Sequence, residues 1–430
     1  MREMKDSGIE WIGAIPKDWD VVPHKRVMHK VKKICEQYSG EDIISLTMNG
    51  VIKRDLTAGG KMPTSFDGYQ YVKPNDLLLC LFDIDVTPRC VGVVKDYGVT
   101  SPAYSRFVMH DGYYNAYYDY LLRAIDDDKV FVHLSKNLRS SLTESDFGSI
   151  KTCVPPLAEQ ERIAAFLDAE CAEIDAVLEK TRASIEEYKK LKQAVITQAV
   201  TKGVRGDRPM KDSGIEWIGD IPVEWDVSSV RYIGRLQNGI SKGGEFFGAG
   251  FPFVSYGDVY KNYELPRSVS GLIDTSEDER NTYSVEYGDI FFTRTSETIE
   301  EVGFSCVCKS SIPNATFAGF VIRLRPFCAD EKILTDYAKY YFRGEHIRAY
   351  LVKEMNLVTR ASLGQTLLKG LSITVPPKSV QREIAEYLDA KCAEIDRLIA
   401  TKQQFLTELE TYKKSIIYEY VTGKKEVHPL

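Results

Sequence analysis

Apolar positions recur at steps of three and four residues through two long segments of the chain. The first segment runs from Val154 to Gly203, and the second runs from Val375 to Lys424. Each opens with Val-Pro-Pro, and beyond that tripeptide neither contains Gly or Pro until its last two residues. This pattern predicts two amphipathic helices of about 40 residues, each about 60 Å long at ~1.5 Å per residue.

The two segments are copies of each other, separated by 221 positions throughout. Asp168 corresponds to Asp389, and Cys171 corresponds to Cys392. A helix of this length cannot bury its apolar stripe against its own domain alone. We therefore predict that the two stripes face each other as an antiparallel coiled-coil pair within the chain. Two alternatives are that each helix packs on its own domain, or that it pairs with a second chain.

A shorter repeat precedes each half of the chain. Met4–Val21 and Met210–Val227 differ at three positions only. Their Gly, Pro and paired Trp residues predict an extended anchoring segment rather than a helix. We expect Trp11, Ile15 and Trp19 to pack into the core of the domain that follows.

Between the repeats lie two variable blocks, each large enough for one domain. Runs of β-branched and aromatic residues between turn residues predict an α+β fold with a strand-rich core in both blocks. The chain is accordingly a pseudo-twofold duplication of two strand-rich α/β domains joined by the two helices. The predicted segments are 1–152, a domain with its repeat; 153–206, the first helix; 207–374, the second domain; and 375–430, the second helix and tail.

A common skeleton is visible inside the blocks. Asp76 and Asp289 each begin a run that predicts a buried strand, at an offset of 213. At the same offset, Phe107-Val108 matches Phe320-Val321. The blocks therefore carry one fold with two different surfaces.

A short helix is predicted near the end of each block. Ser141-x-x-Glu144 and Ser362-x-x-Gln365 have the capping-box pattern. Each follows an Arg closely, so the two predicted helices begin just after Arg139 and Arg360.

Length, composition and charge narrow the kinds of protein to which the chain can belong. The 430 residues favour two or more domains, and 43% hydrophobic with 27% charged residues is ordinary for a globular protein. The net charge of −6 does not by itself suggest nucleic acid, although Lys and Arg can still cluster on one face. The apolar run Leu77–Phe82 is too short to span a bilayer, and the start lacks the apolar core of a signal peptide. We therefore expect a cytoplasmic protein.

Catalytic signatures are missing from the sequence. It contains no G-x-x-x-x-G-K-[ST], H-E-x-x-H or G-x-S-x-G motif, and no [ND]-P-P-[YFW] motif of amino-methyltransferases. The six His are dispersed without metal-ligand spacing. Asp83 and Asp85 are acids of a loop, since the second block has Ser296 and Thr298 there. We expect no catalysis, no cofactor and no metal.

Three duplicated or ordered motifs now resemble one family, the specificity subunits of type I restriction–modification systems. They are W-I-G-x-I-P-x-x-W-x-V at Trp11–Val21 and Trp217–Val227, G-D-I-x-F-T-R at Gly288–Arg294, and V-P-P-L-x-E-Q-x-R-I at Val154–Ile163. The resemblance covers essentially the whole chain. The first block departs from it at Asn75–Leu77, and the second helix begins with K-S-V-Q where the first has L-A-E-Q.

The resemblance implies a function for each part. Each variable block is expected to be a target recognition domain that reads one half of a split double-stranded DNA sequence. The helices are expected to be the spacer that sets the distance between the halves. Two methyltransferase subunits are expected to dock and methylate adenine with S-adenosylmethionine, and restriction (translocase) subunits join in systems that cut. The chain itself is implied to be a non-catalytic subunit.

Two other classes of function compete with this interpretation. A non-catalytic coiled-coil scaffold or adaptor would bind protein partners only. A DNA-modifying enzyme of unrecognised type is disfavoured by the missing motifs.

Candidate DNA contacts follow from position and residue type. Arg139 and Arg360 each precede a predicted helix start, where they would bind a DNA phosphate. The alternative is that each Arg only holds the start of that helix in place. Loop residues after the buried strand differ between blocks, as base readers should. Lys residues near the start of the first block form a backbone patch or a solvated face. The loop and Lys candidates are Thr293, Arg294, Thr295, Ser296, Thr87, Arg89, Lys32 and Lys33.

Overall fold

The described chain forms two compact units. A computed structural model describes residues 2–48, 50–57, 63–87, 89–135, 140–206, 208–296, 299–355 and 361–427. Unit 1 comprises residues 1–182 and 404–430, and unit 2 comprises residues 183–403. Each long helix contributes one half to each unit, so the units cut across the four segments predicted from the sequence.

Unit 1 is built mainly from short antiparallel strands. Its strands are β1 (Met4–Asp6), β2 (Ala14–Pro16), β3 (Asp20–Pro23), β4 (Met28–Lys30), β5 (Ile44–Thr47), β6 (Gly50–Lys53), β7 (Gln70–Val72), β8 (Leu77–Leu79), β9 (Val91–Val93), β10 (Gly98–Thr100), β11 (Ser105–Met109) and β12 (Lys151–Val154). Its helices are α1 (Asn115–Asp127), α2 (Val130–Leu134), α3 (Glu144–Ser149) and the first part of α4 (Leu157–Lys202), with a 3₁₀ turn at His24–Arg26.

The central sheet of unit 1 has the strand order β4-β11-β8-β9, with antiparallel neighbours. All three Leu of β8 are fully buried, which confirms the buried strand predicted after Asp76. Asn75 precedes it at φ 73°, a left-handed conformation that Asn tolerates. A turn residue therefore sets the start of the strand.

Unit 2 has the same arrangement, with longer segments between the strands of its central sheet. Its strands are β13 (Met210–Asp212), β14 (Asp220–Pro222), β15 (Asp226–Ser229), β16 (Gly234–Asn238), β17 (Phe247–Val254), β18 (Leu272–Ile273), β19 (Ile290–Thr293), β20 (Thr295–Ser296), β21 (Ser305–Val307), β22 (Thr316–Phe317), β23 (Val321–Pro326), β24 (Ala361–Ser362) and β25 (Ser372–Val375). Its helices are α5 (Tyr256–Lys261), α6 (Glu277–Thr282), α7 (Thr335–Tyr341), α8 (Glu345–Glu354), α9 (Gln365–Gly370) and the first part of α10 (Lys378–Val421). Three 3₁₀ turns lie at Val230–Tyr232, Gly244–Phe246 and Ile299–Glu301.

The central sheet of unit 2 has the order β16-β23-β19-β21, which matches that of unit 1 strand for strand. Gly288, at φ 87°, occupies the turn position that Asn75 occupies in the first copy. In both units the strand after the short repeat pairs with the strand before the long helix, as β3 with β12 and β15 with β25. The predicted duplication of one α+β fold is confirmed at the level of sheet order.

One predicted correspondence between the blocks is wrong. Phe107 lies opposite Leu77 in the first sheet, and Leu324 lies opposite Ile290 in the second. Because Leu77 and Ile290 are counterparts, Phe107 corresponds to Leu324 rather than to Phe320. Added residues in the loops of unit 2 ahead of β23 move the offset from 213 to 217, which a dipeptide match cannot detect.

The two long helices are confirmed, with 46 residues in α4 and 44 in α10. In unit 1, Lys413 Nζ lies 2.6 Å from an Asp175 carboxylate oxygen. In unit 2, Lys192 Nζ lies 2.7 Å from an Asp396 carboxylate oxygen. The two ion pairs consist of counterpart residues, and within each unit the helix segments run antiparallel. The predicted antiparallel pair within the chain is therefore confirmed. The alternative, in which each helix packs only on its own domain, is wrong.

Part of the predicted apolar stripe is exposed. Leu398, Phe405 and Tyr412 of α10 lie seven residues apart and are exposed, whereas Ile384, Leu388 and Ile395 are buried. Expecting the whole stripe to be buried was wrong, because 3.6 residues per turn let one face of a long helix drift away from its partner. Among the described helices, none is long and apolar enough to cross a membrane.

The short helices exist but begin later than predicted. In the first block the capping box is formed by Thr143 and Asp146, not by Ser141 and Glu144. In the second block Ser362 lies in β24, and α9 begins after Gly364 without a side-chain cap. Both helices have six residues. More than one Ser or Thr precedes each helix, and the backbone conformation decides whether any of them becomes the capping residue.

The short repeats anchor each block as predicted. Ile15 and Trp19 are fully buried in the core of unit 1, and Ile221 and Trp225 are fully buried in that of unit 2. Trp11 is only partly buried.

Candidate nucleic-acid interface

A buried ion pair fixes the start of the central strand in unit 1. Arg106 Nε donates to Asp76 Oδ2 at 2.6 Å, and both side chains are buried. Arg106 also donates to the Tyr71 carbonyl at 3.0 Å. The Asp76 carboxylate accepts from the Lys73 N–H at 2.7 Å. With its oxygens occupied inside the domain, this carboxylate shapes the fold and is not part of a surface site.

Unit 2 has a similar ion pair, although its Arg lies two residues further along the strand than Arg323, the counterpart of Arg106. Arg325 donates two hydrogen bonds to the Asp289 carboxylate, at 2.7 Å and 2.6 Å. Burial raises the pKa of Asp289 although the Arg325 bonds oppose that shift. Each central sheet is thus braced at the end opposite to the loops that follow β8 and β19.

Those loops and the segments preceding the short helices come together, and we call the surface they form the loop face of each unit. In unit 1 the loop face consists of residues 81–87, 89 and 140–144. Ile84 N–H donates to the Ser140 carbonyl at 3.0 Å, and Leu142 N–H donates to the Leu81 carbonyl at 2.8 Å. The loop after β8 and the segment before α3 therefore form one surface.

The loop face of unit 2 consists of residues 294–296, 319–320 and 361–365, with Asn238 at its edge. Leu363 N–H donates to the Arg294 carbonyl at 2.7 Å, which is the counterpart of the Leu142 bond. β20 pairs with β24 so that Thr295 faces Ser362, and their hydroxyl oxygens are 3.2 Å apart. Phe320 is 58% exposed beside them. Arg139 and Arg360 themselves lie outside the described residues.

The predicted loop residues of unit 2 divide into buried and accessible ones. Thr293 is fully buried; its hydroxyl donates to the Glu301 carbonyl at 2.8 Å and accepts from Phe304 N–H at 2.9 Å. β19 extends through Thr293, so this side chain serves the fold and does not reach the loop face. Arg294, Thr295 and Ser296 are half-buried. Arg294 makes one bond of 3.3 Å to the Gly319 carbonyl.

The loop after β20 is held at its base. The Glu301 carbonyl accepts from Tyr256 Oη at 2.8 Å as well as from Thr293. Burial raises the pKa of Tyr256, which keeps this donor protonated. Ser296 donates to the Glu301 carboxylate. This anchoring presents Arg294 and Thr295 from a fixed backbone.

In unit 1 the predicted residues lie at the rim of the loop face. Thr87 Oγ1 donates to the Asp83 carbonyl at 2.7 Å, and Arg89 Nε donates to the Met48 carbonyl at 2.9 Å. Val86, which precedes Thr87, is 74% exposed. The guanidinium of Arg89 keeps further donors for a ligand.

Lys32 and Lys33 are exposed near the end of β4. The Lys33 ammonium lies 5.4 Å from the centroid of the Tyr71 ring. Both remain candidates for phosphate contact, and the geometry is equally that of a solvated face. Within the described ranges, no three His, Cys, Asp or Glu side chains are grouped so that they could hold a metal ion.

Comparison with known proteins shows which proteins the chain is similar to. Residues 222–411 match the family model described as type I restriction modification DNA specificity domain. The curated relative "Putative type I restriction enzyme MjaX specificity subunit" of Methanocaldococcus jannaschii is 24% identical over 97% of this chain and 96% of its own length. The chain is thus similar to type I restriction–modification specificity subunits, through this family model in its second half and through this relative over nearly its whole length.

A further relative and two solved structures are also similar to the chain. The EcoKI specificity subunit of Escherichia coli is 25% identical, over 66% of this chain and 60% of that protein. A chain from the structural study of complex assembly and conformational transition of the type I R-M system is 15% identical, with a TM-score of 0.72 over 96% of this chain and 99% of that one. The HsdS subunit from Thermoanaerobacter tengcongensis is 16% identical, with a TM-score of 0.51 over 96% of this chain and 98% of that one. At these identities, the structures support the fold alone.

Two polar residues that the sequence patterns do not reveal as site candidates lie at the edge of the loop face in unit 2. Gln365 Nε2 donates to Asn238 Oδ1 at 2.8 Å, across 127 positions of sequence. The sequence pattern instead assigns Gln365 to a capping box, which α9 does not form. The available signal was that its counterpart in the first block is Glu144, a different polar residue at a matched place.

Proposed function

We propose that the chain is a type I specificity subunit and reads a bipartite double-stranded DNA sequence, with one variable block for each half. The supporting observation is that two units share one sheet order and one loop-face construction, yet carry different polar side chains there. A duplicated framework with diverged surface residues suits recognition of two different sequences by one mode of docking.

The helix pair serves as the spacer in this proposal. α4 and α10 are continuous helices, and each belongs to both units. A continuous helix has a fixed rise per residue, so its length can set the number of unread base pairs between the halves.

The proposed contacts are the accessible members of the predicted set. Thr293 is omitted because its hydroxyl is used inside the domain. Arg294, Thr295 and Ser296 are proposed for the second half-site, and Thr87 and Arg89 for the first. Phosphate contacts are proposed for the remaining basic residues, Lys32, Lys33, Arg139 and Arg360.

The subunit is proposed to act without catalysis of its own. Two methyltransferase subunits would bind it and methylate adenine in each half, and restriction subunits would join for cleavage. Flipping of the target base would fall to the methyltransferase while this subunit holds the duplex. The assembly would work on genomic DNA in the cytoplasm.

The experiment is to produce the chain together with a type I methyltransferase subunit that assembles with it, in a host without that system. Sequencing then maps N6-methyladenine across the genome. The proposal predicts methylation at a split motif with an unread gap of constant length. Methylation that needs the chain but follows no motif would favour the scaffold or adaptor function instead. Methylation by the chain with cofactor and no partner would indicate an enzyme.

A further inference from the structure

The first residue of each short helix bonds to the last residue of an edge strand. In unit 2, Gln365 begins α9 and Asn238 ends β16, and their amides are joined at 2.8 Å. In unit 1, Glu144 begins α3 and Lys30 ends β4, with Lys30 Nζ 3.4 Å from Glu144 Oε2. We call this contact the helix–strand joint.

The two joints link the same two elements of the fold, but from strand positions that differ by two residues. Lys30 lies opposite Phe107 and therefore corresponds to Leu236, which lies opposite Leu324. β4 and β16 are edge strands of the central sheets, next to β11 and β23 respectively. α3 and α9 each lead, after one residue, into the strand that precedes the long helix. Glu144 and Gln365 are separated by 221 positions, the offset of the helical repeat. A Lys–Glu ion pair thus joins helix and strand in one unit, and an Asn–Gln amide pair joins the same elements in the other, two residues further along the strand.

Both joints keep hydrogen-bonding capacity for a ligand. The Gln365–Asn238 bond uses one N–H and one carbonyl, which leaves an N–H₂ group, an N–H and a carbonyl oxygen. Both side chains are half-buried. In unit 1, the Lys30 and Glu144 side chains are 34% and 59% exposed. An ion pair this exposed contributes little to folding, so stability alone does not account for it.

The joint of unit 2 is continuous with the loop face. Gly239, next to Asn238, donates its N–H to the Val321 carbonyl at 3.1 Å, and Arg294 N–H donates to the Phe320 carbonyl at 2.8 Å. Exposed Ser362 lies three residues before Gln365. Amide, hydroxyl, guanidinium and aromatic groups from separate segments therefore converge on one surface.

We infer that the helix–strand joint is a base-reading position in both domains, with Asn238–Gln365 selecting an A·T pair and Lys30–Glu144 selecting a G·C pair. Asn and Gln amides match the N6 donor and N7 acceptor of adenine. Lys matches the acceptors of guanine, and Glu accepts from the N4 amino group of cytosine. This inference rests on the proposed function and names residues that carry its sequence preference.

The test exchanges the two joints within the intact methyltransferase complex. The variant Asn238→Lys with Gln365→Glu gives unit 2 the polar groups of unit 1. The reciprocal variant is Lys30→Asn with Glu144→Gln. Thr366→Ala, an exposed change on α9, is the matched control. The readouts are the methylated motif and the thermal unfolding midpoint of each variant.

The expected result is a change at one base pair in one half of the motif. For Asn238→Lys with Gln365→Glu, the ratio of methylation rates for A·T and G·C at that pair should shift by roughly 5- to 150-fold. The reciprocal variant should alter the other half, and Thr366→Ala should alter neither. Should the double variant fail to assemble, Gln365→Glu alone preserves side-chain shape and should still weaken the A·T preference.

Two outcomes would overturn the inference. An unchanged motif with unchanged stability would mean that the joint does not contact bases. A lowered unfolding midpoint with an unchanged motif would mean that it only ties the helix to the sheet. The wild-type complex separates these from failure of the proposed function, because a wild type without any split motif would refute that proposal before a variant is made.

Discussion

Glu159 and Val380 are counterparts in the first turns of α4 and α10, and their difference predicts opposite effects on stability. Trp19 is fully buried, and its Nε1–H donates to Glu159 Oε2 at 3.0 Å. Its counterpart Trp225 is also fully buried, but its Nε1–H has no hydrogen-bond partner among the described residues. We predict that Glu159→Val destabilises unit 1 and that Val380→Glu stabilises unit 2.

The magnitudes follow from the two indole N–H groups, since one variant removes a hydrogen-bond acceptor and the other supplies one. Glu159→Val leaves a buried N–H without an acceptor, which costs about 1–3 kcal/mol of stability. It also removes a carboxylate from a helix N-terminus, which costs about 0.3–1 kcal/mol. Arg2 keeps its second partner, Asp18, at 2.6 Å. A net loss of about 2 kcal/mol should lower the unfolding midpoint by about 4–8 °C for a unit of this size. Val380→Glu should gain about 1 kcal/mol, which is a typical net hydrogen bond.

Differential scanning calorimetry of the purified chain at pH 7 measures both effects. Glu161→Val removes an exposed carboxylate from the same turn as Glu159 and is the control for the first variant. Ser379→Glu adds an exposed carboxylate beside Val380 and separates the helix-dipole effect from the bond to Trp225. A midpoint unchanged by Glu159→Val, or lowered by Val380→Glu, would refute the argument that the indole N–H governs the helix start.

Two further predictions concern pH and helix length. Burial lowers the pKa of His24 to about 4, so the unfolded chain binds more protons between about pH 6.5 and 4, and unit 1 should lose about 2 kcal/mol from pH 7 to pH 5. Replacing His24 with Val, which its counterpart Val230 already is, should flatten that dependence in calorimetry, and an equally steep fall would contradict the assignment. Inserting about 4 residues into both long helices, after Arg182 and after Gln403, adds about 6 Å of helix. Methylation mapping should then reveal a changed gap between unchanged half-sites, and altered half-site bases would speak against reading by the blocks.

The arrangement of domains and long helices was predictable from sequence because strong local patterns determine it. Uninterrupted apolar spacing predicts α4 and α10, and the exact repeats predict a duplicated domain. Turn residues such as Asn75 and Gly288 mark the start of the buried strands through their left-handed conformation. Finer detail was lost where loops differ in length. The correspondence of Phe107 with Leu324 depends on strand register, which pairwise residue similarity does not encode.

The candidate site was predictable as a region but not residue by residue. The loop after each buried strand was expected to matter, and the structure joins it to the segment before the short helix. Whether a given side chain faces outward depends on where the strand ends, and for that reason Thr293 is buried while Thr295 is accessible. The contact between Asn238 and Gln365 joins residues 127 positions apart, which only the folded chain brings together.

The most direct test of the central claim is a block exchange followed by methylation mapping. Residues 226–374 are replaced by the corresponding block of a known type I specificity subunit, and N6-methyladenine is mapped for the complex of this chimera with a methyltransferase subunit. One half of the motif should change while the other half and the gap stay as they were. A motif unchanged in both halves, or changed in both, would contradict the account that each block reads one half of the DNA target.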